Sequence, residues 1–274
     1  MVEANGQVAP VDGSPVSLMR NKEFDAPSLF QPENLLREAR RQLGLPKVGV
    51  PKVCLLDPYG DIVRHLRATG QGVRHPGWAC YHTEMWVTNL HGLSVGVVGL
   101  AVGAPFAALD AEQLSASGTE LILSITSAGQ IRPLGDPPHF VLITKALRDE
   151  GTSHHYLPTA NWSQLAPALE ERLVPALRGL SEPVLAGASW TTDAPYRETQ
   201  SAIDAVETDG INCVEMEAAA LYAYGAARQR DVVCFAHITN SMVVNGNDFE
   251  KGAANGALSA LEIAEAAARS LLVA

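Results

Sequence analysis

Apolar residues along this chain fall into short unbroken runs separated by stretches of helical period, and that alternation predicts its architecture. After Gly49, Lys52-Val53-Cys54-Leu55-Leu56 reads as a buried strand, and a helix from Ile62 to Ala68 follows the turn Asp57-Pro58-Tyr59-Gly60-Asp61. Thr83 to Val102 reads as two strands joined around Asn89 to Gly92, the second apolar on both faces as in a covered sheet. Pro105 is placed to begin a helix, Phe106 to Ser117, and Gly118 stops it. Further strands are expected at Glu120 to Ile125, Phe140 to Thr144, Pro183 to Ala188 and Val232 to Thr239. Helices are expected at Pro32 to Leu43, at Ala166 to Leu180 with an interruption at Pro175, and at Gly256 to Leu272. Strands alternating with helices predict an α/β fold, a single-domain mixed sheet flanked by helices, with ligands near the C-terminal ends of strands. Residues 1–28, rich in Gly, Pro, Ser and Asn, are expected to form a mobile N-terminal arm, leaving 29–274 as the domain.

One segment stands apart from this pattern. In Val214-Glu215-Met216-Glu217-Ala218-Ala219-Ala220-Leu221-Tyr222-Ala223, two carboxylates bracket a methionine and then the chain turns apolar on every face. Such a helix is buried. Its carboxylates are expected in the first turn, where the positive end of the helix dipole favours them. Burying them there is costly unless donors are supplied. Either they decorate a helix terminus or they receive hydrogen bonds from a polyhydroxylated ligand.

Composition narrows the partners. With 47% hydrophobic and 18% charged residues, the 274-residue chain can bury a sizeable core. A net charge of -10 argues against nucleic acid and anionic membrane as partners, and leaves small metabolites open. Cys54, Cys80, Cys213 and Cys234 are widely spaced, without a CxxC pair, which suggests reduced thiols in a cytoplasmic setting. Met1 to Arg20 contains no apolar signal core, and no stretch reads as a membrane span.

Four polar segments follow apolar strands and are candidates for one pocket: Asp57 to Asp61, Ser124 to Gln130, Trp190 to Glu198, and Thr239-Asn240-Ser241. Gly96, Gly99 and Gly103 lack dinucleotide-fingerprint spacing, which discounts a nicotinamide oxidoreductase, and no Walker A, nucleophile elbow or HExxH occurs. His154-His155 has no spaced partner and reads as solvated rather than metal-ligating.

Val214 to Ala220, placed after Asp193-Ala194-Pro195-Tyr196-Arg197-Glu198, resembles the purine nucleoside phosphorylase/uridine phosphorylase superfamily, with uridine phosphorylases as the nearer subgroup. Ala104 to Leu114 leading to Thr126-Ser127-Ala128-Gly129 is similar to that family's middle section, and the likeness covers roughly residues 50–274. The resemblance implies cleavage of a nucleoside's N-glycosidic bond. It implies that Glu217 accepts hydrogen bonds from the ribose 2′ and 3′ hydroxyls, that Met216 packs on the sugar, and that Glu215 shapes the same pocket. Thr126 and Ser127 would lie near the sugar and the attacking group. A carboxylate suits the positive charge that develops on an oxocarbenium-like sugar. The resemblance further implies no metal or organic cofactor, and a homodimer or a larger ring such as a hexamer.

Departures from the family pattern concern the acceptor. Family phosphorylases hold phosphate with arginines in a GDPxR loop and at a strand end. Here Gly60 and Ser124 occupy those two places, and a third arginine, lent by a neighbouring subunit, would fall near Tyr81 or His82. Bidentate guanidinium contacts are the strongest anion-binding geometry among side chains. Arg64, Arg67 or Arg74 are the cations available to replace them. The other acceptor is water, which needs a general base, and Asp57 and Asp61 are its candidates. Purine-cleaving relatives carry an Asp where this chain has Asn240, an amide that cannot act as an acid. That tilts the base toward pyrimidines or 6-oxopurines, with Arg197 and Gln200 as candidate readers and Pro195 where relatives stack a Phe. A catalytically silent nucleoside binder is the rival reading, since the sugar motif is intact while the phosphate loop is eroded.

Overall fold

The computed structural model describes residues 17–241 and 250–272. Of the segment expected to form an arm, residues 1–16 lie outside those described; Ser17–Met19 forms a short 3-10 turn, and the Lys22 ammonium lies 2.7 Å from His155 Nδ1.

Ten strands form one mixed sheet: β1 Val53–Asp57, β2 Val73–Arg74, β3 Met85–Leu90, β4 Leu93–Gly99, β5 Leu121–Gln130, β6 His139–Asp149, β7 Trp162–Gln164, β8 Val184–Thr192, β9 Cys213–Glu215 and β10 Asp231–Ser241. Helices α1 Pro32–Leu43, α2 Asp61–Thr69, α3 Ala104–Ala116, α4 Pro167–Ala176, α5 Gln200–Thr208, α6 Ala218–Arg228 and α7 Ala257–Leu272 pack around it. The order β10-β6-β8-β9-β5-β1-β4-β3-β2 is joined by a further β10–β5 pairing. Strands β5, β10, β6, β8 and β9 therefore close into a ring, and β1, β4, β3 and β2 extend from β5 as an open wing. Pairings of β1 with β4 and β5, and of β5 with β10, are parallel, which brings their C-terminal ends to one edge.

Each strand expected from an apolar run is present, and several are longer than their apolar part. β5 runs on through Ser124-Ile125-Thr126-Ser127-Ala128-Gly129, β8 through Trp190-Thr191-Thr192, and β10 through Asn240. Those polar stretches are strand, not loop, because neighbouring backbones satisfy them: Ser127 pairs with His237, and Gly129 with both Asn240 and Val214. Helix α5 was not signalled by the apolar pattern; it starts at a cap in which the Thr199 hydroxyl accepts the Ala202 N–H at 3.3 Å.

The helix of the VEMEAAA motif is buried on all sides from Ala218 to Gly225, as its composition predicts. Its start is different. Glu215 ends β9 and Glu217 is the N-cap of α6, so neither carboxylate lies within the first helical turn. Tyr222 fixes the helix to the sheet, accepting the Cys234 N–H at 3.0 Å and donating to Ile143 O. All four cysteines are buried and unpaired. No helix among the described residues is long and apolar enough to cross a membrane.

Candidate active site

Glu215 and Glu217 have similar surroundings and opposite hydrogen bonding. Glu215 Oε1 accepts from the Ser189 hydroxyl at 3.0 Å and the Thr191 hydroxyl at 2.5 Å, and Oε2 accepts from the Glu217 and Ala218 N–H groups, both at 2.7 Å. The carboxylate thus bolts β8 to the start of α6, and all its bonds are internal. Glu215, expected to help shape the sugar pocket, makes its four hydrogen bonds inside the protein. Glu215→Ala should cost about 3 kcal/mol or more of unfolding free energy, by stranding buried donors, and urea denaturation measures it.

Glu217 is 1% exposed, and its Oε1 accepts the Gly103 N–H at 2.7 Å. Oε2 is buried and has no hydrogen-bond partner among the described residues. Gly103 has φ of 97° and caps α3, so the carboxyl faces the N-terminus of α3. That dipole favours the anion, yet burial outweighs it. Burial first, and then the charge on Glu215, push the Glu217 carboxyl up to about 8, while the Gly103 N–H and the Thr126 hydroxyl pull it back. With its four donors Glu215 is the better-stabilised anion, so Glu217 holds the proton near neutral pH.

A small cavity is lined by Asp57 at the end of β1, Tyr59 just before α2 and Asp61 at its start, Thr126 and Ser127 of β5, His237 of β10, and Asn255 and Gly256 ahead of α7, and it shares Thr126 with the surroundings of Glu217. It leaves about 20 Å³ for the centres of water-sized molecules, and one buried water takes roughly 10–15 Å³ of such space. A larger groove of about 1050 Å³ between residues 23–35 and α3 is lined by none of the candidate residues.

Asp57 Oδ2 accepts the Val63 N–H at 2.9 Å, which ties α2 to β1. Burial raises the Asp57 carboxyl to about 6, against the opposing Val63 bond. Asp61 behaves otherwise. Burial pushes it up, but Lys251 and Arg64, each 2.7 Å away, override this and hold it below the ordinary carboxylate range. A doubly paired carboxylate is a weak base, so of the two candidates Asp57 has the environment for the task. His237 stacks on Phe140 with centroids 4.4 Å apart and planes at 7°. Burial first, then Lys251, lower its pKa to about 4, and the ring is neutral.

Other expected site residues do not converge here. Ser124 is buried in β5 between Leu56 and Cys234 and does not line the cavity. Gly60 has φ of 76°, and a Cβ there would lie 2.6 Å from Leu100 Cδ2, so a side chain at this position would be strained and would have to displace Leu100. Arg64 is turned back onto Tyr59 O and Asp61, both at 2.7 Å. Arg67 lies over the Trp86 ring and Arg74 pairs with Glu84, so neither rebuilds an anion site. Arg197 sits exposed in the 3-10 turn Pro195–Arg197, and Gln200 is exposed with its amide on Asp204. Asn240 follows a bulge in β10 opposite Gly129, and Met216 is half-buried between the two glutamates.

Sequence reading missed His237, which lines the cavity, and Lys251, which pairs with Asp61 at its rim. A histidine inside Val232-Val233-Cys234-Phe235-Ala236 and Ile238 was the available signal, since a lone polar ring in an apolar strand needs a reason. Nothing local marks Lys251, which reaches the cavity rim only through tertiary folding.

Known proteins carry related chains. A guanosine phosphorylase of Halorubrum lacusprofundi is 29% identical over 168 residues, 59% of this chain and 66% of the relative's length. A uridine phosphorylase of Thermococcus kodakarensis is 24% identical over 230 residues, 74% of this chain and 83% of the relative. The solved uridine phosphorylase from Vibrio fischeri ES114 shares the fold with a TM-score of 0.69 and 20% identity, covering 84% of this chain and 95% of that one. The model of the Phosphorylase superfamily matches residues 53–271, from the first residue of β1 to within one residue of the end of α7. The chain is therefore an enzyme of the nucleoside phosphorylase superfamily.

Proposed function

We propose that the enzyme cleaves the N-glycosidic bond of a nucleoside whose base is a pyrimidine or a 6-oxopurine, and passes the ribosyl group to water. The observation that carries this reading is Glu217 Oε2, a buried oxygen with no hydrogen-bond partner among the described residues, next to Thr126, which lines a cavity that suits one water. Leaving such an oxygen unpaired costs about 1–3 kcal/mol, which a ribose hydroxyl would recover on binding. Asp57 takes the proton from the cavity water, its oxygen bonds to the anomeric carbon, and the C–N bond breaks with its electron pair leaving on the base. Ionised Glu217 stabilises the positive charge on the sugar as that bond lengthens. Neutral His237 and Ser127 orient the water. Asn240 offers an amide to a carbonyl or ring N–H of the base and no acid to a purine N7.

The relatives' names support the base preference, since guanosine is a 6-oxopurine nucleoside and uridine a pyrimidine one. Those names also favour phosphate as the acceptor, and this is the second reading. The pinned Arg64 and the left-handed Gly60 weigh against it. Residues 29–274 acting as one unit, and assembly into a homodimer or a ring of dimers, belong to the same proposal. Release of free base from uridine, thymidine, inosine, guanosine and adenosine, with and without inorganic phosphate, tests it. Turnover of uridine or inosine without phosphate is the expected result. Strict phosphate dependence would remove water as the acceptor, and adenosine as best substrate would remove the role given to Asn240.

A further inference from the structure

The Lys251–Asp61 pair on the rim of the cavity has no part in glycosidic cleavage as derived above. Lys251 Nζ lies 2.7 Å from Asp61 Oδ2 and 5.8 Å from the centre of the Tyr59 ring. Both partners are largely buried, with side chains 26% and 12% exposed. From Lys251 the backbone crosses to α7 through Gly252, Ala254, Asn255 and Gly256, all at positive φ. For Ala254 and Asn255 that conformation costs on the order of 1 kcal/mol each, so other contacts hold the segment in place. One is the ion pair. The other is Gly256, where an added Cβ would lie 2.2 Å from His237 Cε1, so the backbone is seated on the ring. Asn255 and Gly256 thereby form one wall of the cavity whose opposite wall carries Asp57 and Asp61.

The charges at this rim are Asp57, Asp61, Arg64 and Lys251, with His237 neutral. Arg64 is bound to Asp61 and to Tyr59 O, and Lys251 is bound to Asp61. A single carboxylate therefore occupies both cations that could meet an incoming anion. A lysine is a compact charge with rotatable donors that binds phosphate when free to do so.

We propose that Lys251 is the residue that sets the acceptor: held by Asp61 it leaves the cavity to water, and released from Asp61 it binds a phosphate oxyanion there. This rests on reading the cavity as the acceptor side of the glycosidic site. It also gives Asp61 a role, as the counter-ion that keeps phosphate out.

Isothermal titration with inorganic phosphate, in the absence of nucleoside, tests the assignment on the wild type, Asp61→Asn, Lys251→Met and the double variant. Asp61→Asn is expected to bind phosphate roughly tenfold or more tightly than the wild type. Lys251→Met and the double variant should bind no better than the wild type. With a nucleoside present, Asp61→Asn should also raise the ratio of ribose 1-phosphate to ribose. Asp61→Ser, equally suited to a first helical turn, carries the same test if the Asn variant does not fold. Unchanged affinity in Asp61→Asn, equal affinity in the double variant, or phosphate binding by the wild type as tight as by Asp61→Asn each overturns the proposal. Binding is read without turnover, so failure to release base from any nucleoside would count against the glycosidic reading alone.

Discussion

Glu217→Gln is expected to lower kcat/KM by about 10³-fold and, at the same time, to make the protein more stable. The two effects share one cause. The Glu217 carboxyl is pushed from 4.5 to about 8, so the native state holds a proton that the unfolded chain gives up. That contribution is complete below pH 4.5 and is lost as pH rises to 8, at a limiting slope of about 1.4 kcal/mol per pH unit. Glutamine has no proton to lose. Its melting temperature should therefore match the wild type near pH 5 and exceed it increasingly toward pH 8. Activity moves the other way, because an amide cannot supply the negative charge that the sugar cation requires. In the wild type, kcat/KM should rise with pH up to about 8, following ionisation of the free enzyme, and Gln should abolish that limb. Thermal melts and pH–rate profiles on the same two proteins check both halves. A fully active Gln variant would remove Glu217 from the mechanism.

Asp57→Asn is expected to lower kcat by about 10²–10³-fold with little change in KM, and to raise the melting temperature above pH 6 for the same linkage reason. Asparagine keeps an oxygen for the Val63 N–H, so α2 stays joined to β1. What it loses is basicity. On the proposed reading, bound ribose supplies Glu217 with donors and brings its pKa down, so the limb near 8 is expected in kcat/KM and not in kcat. The acid limb of kcat then reports Asp57, whose carboxyl sits at about 6. Wild-type kcat should fall tenfold per pH unit below that value, and the Asn variant should show a flat, low profile. A persistent limb near pH 6 in Asp57→Asn would assign it to another group.

Much of the fold was legible because burial writes itself into composition. The runs at Val53 to Leu56 and Leu121 to Leu123 are apolar throughout and entirely buried, and the all-apolar face of Ala218 to Gly225 is buried as its sequence predicts. Polar strand ends were not legible as strand. Ser127 and Thr191 have no apolar period, and their partners, His237 and Glu215, lie more than twenty residues away in the chain. In the site, Glu217 could be singled out because a carboxylate before an apolar helix is costly and calls for a donor. Glu215 looked equivalent in sequence. The difference rests on Ser189 and Thr191 of another strand, which satisfy it fully. Asp57 and Asp61 were likewise indistinguishable until Lys251 and Arg64 were seen to hold only the second.

The closed ring of strands has a consequence for how such an enzyme can diversify. Glu217 and Thr126 are attached to the ring, whose strands pair on both sides and tolerate little displacement. Asp61 and the segment ahead of α7 approach from outside it, at the start of α2 and on a backbone crossing whose residues can change without unpairing a strand. On the proposed reading, Ser127 and His237 tie the acceptor side to the ring as well, and Asp61 and Lys251 are the acceptor-side residues that can change without disturbing a paired strand. Directed variation of the acceptor should begin with those two.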